Sequence, residues 1–167
     1  MGFKKTSDLI AVSFGVTESG ANTFTQDEIA LQLDVLNNEI FVVLAADLNL
    51  ASPDMAAGTN TSVSGTITTT SQTALPTLSE TNTIAVAQLS IRSDAPGSQV
   101  SFQRAAEESY SGMLDYISLI ATNNFFVQVQ GAGNGGAKSC RGRVYGYRAR
   151  ADASTYAALV QSEVLSA

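Results

Sequence analysis

The stretch Gly131-Ala132-Gly133-Asn134-Gly135-Gly136-Ala137-Lys138-Ser139 is the part of the chain that most resembles chemical machinery. It satisfies G-x-G-x-x-G, and it misses G-x-x-x-x-G-K-[ST] by one residue because Ala137 stands between Gly136 and Lys138. Both motifs hold a phosphate because the loop opens an α-helix whose first amides and dipole face the anion. Here the chain continues Arg141-Gly142-Arg143-Val144-Tyr145-Gly146-Tyr147-Arg148, two glycines among strand-forming residues. A nucleotide site is therefore not expected. The glycines read as a flexible β-hairpin tip between a strand at 125–130 and the basic segment that follows.

That basic segment is the candidate site. As a strand it puts Arg141, Arg143, Tyr145 and Tyr147 on one face and Val144, Arg148 and Arg150 on the other. Together with Lys138 these are candidate contacts for a neighbouring subunit or for nucleic acid. Arginine interleaved with tyrosine suits phosphate and base stacking in single-strand binders, but the aromatic positions after Arg141-Gly142 do not fit the RNA-recognition consensus. The plainer reading is an edge or rim strand whose arginines pair with acidic neighbours, within the chain or between copies.

Other chemistry is thinly represented. There is no histidine, and Cys140 is the only cysteine. This excludes a Ser-His-Asp triad, a Cys-His pair, a histidine metal site, a structural zinc site and an intrachain disulfide. Lys138 and Arg141 flank Cys140 and would favour its thiolate, but no base accompanies it, and it reads as an incidental thiol. Carboxylates remain: Asp27, Glu28, Asp47, Asp54, Glu107, Glu108 and Asp115. Adjacent ones on a strand face opposite ways, so no acid–base pair across a cleft is expected. No calcium-loop pattern occurs. No catalytic residue, cofactor or metal is implied.

Composition points toward assembly. Only 14% of residues are charged, against roughly 25% in ordinary soluble domains. Such a chain keeps soluble through neutral polar groups or hides its surface against neighbours. The net charge of −6 is uneven. Residues 1–137 carry 4 basic and 13 acidic side chains, whereas residues 138–167 carry 5 and 2. An acidic body with a basic edge suits contacts between copies and makes direct nucleic-acid binding unlikely. Residues 1–6 fit the M-G-x-x-x-[ST] pattern and residues 9–16 are apolar after two lysines, but Ser13 interrupts that run. Neither is taken as a targeting signal, and no membrane span is expected. The sequon Asn60-Thr61-Ser62 carries little weight.

The elements that must position these residues are mostly strands. Apolar residues alternate over 29–50, at odd positions before Asn37-Asn38 and at even positions after it. A two-residue turn there would pair Val35 with Ile40, Leu33 with Val42 and Leu31 with Leu44, so a hairpin is expected. The competing reading is a helix opened by Thr25-Gln26-Asp27-Glu28. The threonine-rich residues 59–73 read as a strand or excursion exposed to water or to a neighbour. Further strands are expected at 83–92, 99–104, 125–130 and 143–149. Residues 113–121 fit a helix through Leu114, Ile117 and Ile120, or a strand through Met113, Ile117 and Leu119; Gly112 and the short length favour the strand. A C-terminal amphipathic helix over 152–166 has Asp152 as its cap and Tyr156, Leu159, Val160 and Val164 on one face.

The whole is an all-β, single-domain antiparallel sandwich or barrel over residues 1–167, of jelly-roll type by size, with the helix docked on a sheet or a neighbour. One cysteine, no histidine, Thr/Ser/Gly-rich alternation, Asn-Asn and glycine turns and few charges together resemble small jelly-roll capsid proteins. The resemblance is architectural, covers most of the chain and includes no diagnostic motif. It implies a non-enzymatic virion structural protein, made in the host cytoplasm, whose partners are copies of itself and other virion proteins. The chain departs from that pattern in having no long basic arm for packaging a genome. A phage tail-tube or decoration protein, and a carbohydrate- or single-strand-binding β module, are the alternatives.

Overall fold

The computed structural model describes residues 2–105 and 114–166. Ten strands are found among them: β1 (Phe3–Lys5), β2 (Ile10–Thr17), β3 (Thr25–Ala30), β4 (Glu39–Leu50), β5 (Thr61–Thr68), β6 (Thr83–Ser93), β7 (Gln99–Arg104), β8 (Ser118–Ile120), β9 (Asn124–Ala132) and β10 (Ser139–Ala151). One helix, α1 (Ala153–Ser166), follows. All pairings are antiparallel and build two five-stranded sheets. In the first, β10 lies between β4 and the consecutive strands β1 and β2, with β8 beyond β4. The second runs β3-β9-β5-β6-β7.

The pairings give the topology. β2 pairs with β10, β3 with β9, β4 with β8 and β5 with β6, so the chain is a long ribbon doubled back on itself. The two remaining contacts, β4 with β10 and β5 with β9, appear when that ribbon is rolled up. This is the double Greek key of a jelly roll, with β1 and β7 as additions. Apart from β5-β6-β7, neighbouring strands of a sheet are far apart in sequence, and most connections cross between sheets.

Inward side chains fill the space between the sheets, as a sandwich requires. Phe41, Val43, Ala46, Cys140 and Val144 from the first sheet meet Val63, Ile67, Phe125, Val127 and Val129 from the second. Phe14 and Phe125 pack edge to face with ring centroids 6.0 Å apart. The even-position rule expected for residues 40–48 holds only in part. The register of β4 on β10 jumps between Ala45–Tyr145 and Val43–Gly146, so Leu44 is an extra residue. Beyond this bulge Ala46 and Leu48 point inward; before it Phe41 and Val43 do, and Ile40 and Val42 face outward.

The outward apolar patch is covered by α1. Tyr156, Leu159 and Val160 pack on Ile40, Val42, Ala149 and Ala151. Asp152 caps the helix as expected, its Oδ1 accepting the Thr155 N–H at 2.7 Å. The Thr155 amide, and after it the Thr155 and Ser154 hydroxyls, hold its carboxyl below the ordinary value. At the other end Glu163, 8% exposed, accepts the N–H groups of Ala121 at 2.8 Å and Thr122 at 3.3 Å. The C-terminal part of the helix is thus tied to the turn after β8.

Two expectations are corrected. The segment before Asn37-Asn38 does not form a hairpin with β4, because β3 pairs with β9 in the opposite sheet. Leu31 and Leu33 are buried, but their amides bond Asn123, and a 3-10 turn over Val35–Asn37 carries the chain across. The threonine-rich strand is no exposed excursion. β5 is the middle strand of its sheet, flanked by β9 and β6. Thr61, Thr66, Thr68, Thr69 and Thr70 are buried with their hydroxyls paired. Gln128, fully buried, presents its Oε1 to Thr66 Oγ1 at 2.6 Å and donates to Thr68 Oγ1 and to Gln26 Oε1 at 2.8 Å. Polar side chains fill this layer because each finds a partner. Of the ambiguous residues 113–121, 118–120 form β8; Met113 lies outside the described residues.

Candidate interaction surface on the basic strand

The glycine loop leads into the basic strand, and its geometry differs from the expected hairpin tip. β9 belongs to one sheet and β10 to the other, so the loop is a crossover between them. Gly133 has φ +71°, and a Cβ there would lie 2.5 Å from the Asn60 carbonyl, which is why glycine is needed. Nor is the loop loosely held. Glu18, only 4% exposed, accepts the Gly131 N–H at 2.9 Å through Oε2 and the Lys138 N–H at 2.8 Å through Oε1. Asp54 accepts the Gly135 N–H at 2.7 Å and pairs with Lys138 Nζ at 2.6 Å. Asn134 bonds Asn22 reciprocally, accepts from the Asp54 N–H and donates to the Ser62 carbonyl.

The loop therefore does bind anions, and they are its own chain's carboxylates. Amides and a lysine that resemble a phosphate cradle face Glu18 and Asp54 from distant loops. The Lys138 ammonium and the Gly135 amide hold the Asp54 carboxyl below its ordinary value. Glu18 escaped the sequence reading because no spacing ties it to residues more than a hundred positions away. The anion-binding composition of the loop was the one usable signal.

β10 is a central strand, not an edge or rim strand, with β2 and β1 on one side and β4 on the other. Its face assignment holds. Cys140 and Val144 point into the core, while Arg141, Arg143, Tyr145 and Tyr147 lie on the outer face. Half of that face is under α1, and Tyr147 belongs to this covered half, with Lys5 Nζ 5.0 Å from its ring centroid. The other half is open. Arg143 lies between Ser13 of β2 and Asp47 of β4, Arg141 between Gly15 and Asn49, and Tyr145 between Ala11 and Ala45. Arg141 and Arg143 are exposed and Tyr145 is half-buried.

The remaining candidates lie elsewhere. Arg148 turns to the sandwich end and donates to the Leu31 and Gln32 carbonyls at 3.0 and 2.9 Å and to Glu39 at 2.9 Å. Lys138 is engaged with Asp54. Arg150 is exposed beside Lys4. The structure thus gathers Arg141, Arg143 and Tyr145 into one open patch and ties Lys138 and Arg148 into the scaffold.

Cys140 is not activated by its basic neighbours. Its side chain faces the core, away from Arg141, and burial pushes its pKa up to about 12. Among the described residues no group of three or more His, Cys, Asp or Glu side chains could hold a metal ion. Glu107 and Glu108 lie outside the described residues. Asp47 is exposed on the outer face, Asp54 is paired with Lys138, and Asp27 and Glu28 are exposed neighbours on β3. No helix among the described residues is long and apolar enough to cross a membrane.

No protein family model matches the chain, and no curated protein matches it. A solved chain from Desmodium yellow mottle tymovirus aligns over 88% of this chain and 91% of its own length, with 12% identity and a TM-score of 0.31. Likeness at that level carries no argument, and the fold is assigned from the strand pairings themselves.

Proposed function

We propose that this chain is a non-enzymatic structural subunit of a virus particle, assembling with copies of itself and with other virion proteins into a shell. The observation that carries the reading is a jelly roll whose surface is poor in charge and rich in exposed large apolar side chains. Leu36 is 92% exposed and Met55 72%, and Leu9, Leu78, Val100 and Phe102 are also more than half exposed. A jelly roll by itself names no function, since lectins and cupins share it. A histidine-based cupin metal site has no ligands here, and a lectin's exposed tryptophan is missing from a chain without Trp. Burial of apolar and neutral polar surface between copies then supplies affinity, and the Arg141–Arg143 patch meets acidic surface on a neighbour.

The test is the mass of the purified protein at neutral pH. Large particles of discrete size are expected; a strictly monomeric species under every salt condition would sink the reading. Shells in electron micrographs separate a capsid subunit from a tail-tube or decoration protein, which forms rings or binds preformed shells. The open patch favours a second reading, single-strand binding through Arg141, Arg143 and Tyr145. Salt-dependent binding of oligonucleotides, weakened by Arg143→Ala, is its signature, and no binding at low salt removes it.

A further inference from the structure

We infer that β7 is a self-complementary edge through which two copies pair, antiparallel, about a two-fold axis normal to the second sheet. This specifies one contact within the self-assembly proposed above and rests on that reading only for its biological setting.

β7 ends the second sheet, and among the described residues no strand pairs with its far side. Gln99 to Gln103 are all exposed, on both faces, with Val100 53% and Phe102 56% accessible. Edge strands are normally guarded by proline, inward charge, a bulge or shortness. β7 has six residues in unbroken register with β6, no proline, and one charge at its last position. An unguarded edge with two exposed apolar side chains on one face is a template for another strand.

Strand direction selects the occupant. The sheet has five antiparallel strands, so its two ends, β3 and β7, run the same way. Joining β3 of one copy to β7 of the next with sheet faces aligned gives a parallel pair, the weaker arrangement. Rotating a copy by a half-turn about the sheet normal sets β7 against β7 antiparallel, as an isologous dimer. The same operation at β3 brings Asp27 or Glu28 against its own copy, which guards that edge. β2 turns only Ala11, Ser13, Gly15 and Thr17 outward, and β8 has three residues.

Side-chain pattern then selects the register. Residues that pair across the axis must share a face, so the registers differ in steps of two. One register sets Val100 of each copy against Phe102 of the other, twice, with Ser101 on the axis and Gln99 opposite Gln103. Arg104 then falls beyond the apolar pairs. Shifting one way places Val100 opposite Arg104; shifting the other way places Phe102 opposite Ser98. Only the first matches apolar with apolar throughout.

The register is read by disulfide trapping in the full chain, where Cys140 is buried. On the axis, Cα atoms of paired residues lie roughly 4.5–5.5 Å apart, within disulfide reach. Ser101→Cys is expected to give a reductant-sensitive dimer under mild oxidation. Gln99→Cys, whose two copies would be about 13 Å apart, is expected to give none. Adding Phe102→Lys to Ser101→Cys is expected to abolish the dimer while the unfolding midpoint stays unchanged, because Phe102 is exposed. No Ser101→Cys dimer, or equal trapping at both positions, overturns the inference. If particles form without the Ser101→Cys link, this contact is wrong and the shell reading stands; if linked dimers form without larger particles, the contact stands and the shell reading falls.

Discussion

Glu18 and Lys138, 120 positions apart, are joined twice: the Glu18 N–H donates to the Lys138 carbonyl at 2.9 Å, and Glu18 Oε1 accepts the Lys138 N–H at 2.8 Å. The other carboxylate oxygen holds Gly131. One buried side chain thus clamps both ends of the crossover that delivers β10 into its sheet.

Glu18→Ala leaves the Gly131 and Lys138 amides without acceptors. A loss of about 2–4 kcal/mol is expected in urea unfolding. A loss below about 1 kcal/mol would mean that the loop holds its shape without the clamp.

Asp54 makes the cluster acid-sensitive. Folding favours its ionised form, through Lys138 first and the Gly135 amide second. That contribution is present above the ordinary value of 3.8 and is lost as the pH falls through the lowered folded value. Below about pH 4, the wild type should lose stability more steeply than Asp54→Asn, which has no such proton to take up. Parallel acid titrations of the two unfolding midpoints check this.

Cys140 behaves oppositely. Its folded pKa of about 12 lies above the ordinary 9.0, so the neutral thiol is favoured by folding. The stabilisation is complete below pH 9.0 and is lost as pH rises toward 12. At pH 8 the native protein should resist a thiol reagent that labels it at once in denaturant. Rapid stoichiometric labelling of the native state would place the thiol at the surface.

Gly65 sits against that sulfur. A Cβ there would be 2.7 Å from both Cys140 Sγ and Leu50 Cδ2. Gly65→Ala should cost about 1–3 kcal/mol by overpacking. Cys140→Ala should recover part of that loss, which a double-mutant cycle measures. Strictly additive effects would show that the two sites do not touch.

Glu163 is the pin at the far end of α1. Glu163→Ala removes the acceptor for Ala121 and Thr122 and should cost about 2–3 kcal/mol. Loss of helical circular dichroism and faster proteolysis near the C-terminus should accompany it. Unchanged proteolysis would mean that Tyr156, Leu159 and Val160 suffice to hold the helix.

Most strands after Asn38 were legible and their partners were not; β1 and β2 were not foreseen, and β3 lies earlier than expected. β6 and β7 fall where alternation and turn residues put them, and Asp152 caps α1 as its type foretells. Alternation reports that one face of a strand is buried, without saying against which strand. Leu31, Leu33, Ile40, Val42 and Ala46 are therefore buried as expected, yet Leu31 and Leu33 follow a strand of the opposite sheet, and Ile40 and Val42 lie under α1. The threonine strand misled because composition counts hydroxyls as surface; Gln128, distant in sequence, satisfies those of Thr66 and Thr68 in the buried interior. The glycine loop reads as a flexible hairpin tip; the carboxylates that hold it, Glu18 and Asp54, arrive from other loops that no spacing ties to it. Arg141, Arg143 and Tyr145 share a face by simple parity, which is why that patch was visible in advance.

The position of β10 has a further consequence, for the order of events during synthesis. The last of the described strands to be made, β10, is the middle of its sheet, separating β4 from β1 and β2. Until residues 139–151 are complete, those strands have no partner in common and the sheet cannot close. Helix α1 has no finished surface to cover before that moment. Folding must wait for contacts between β10 and the distant strands β1 and β2, a slow class of event because long loops close before any bond repays them. β10 acts as a timer: the first sheet stays open until residues 139–151 have been made.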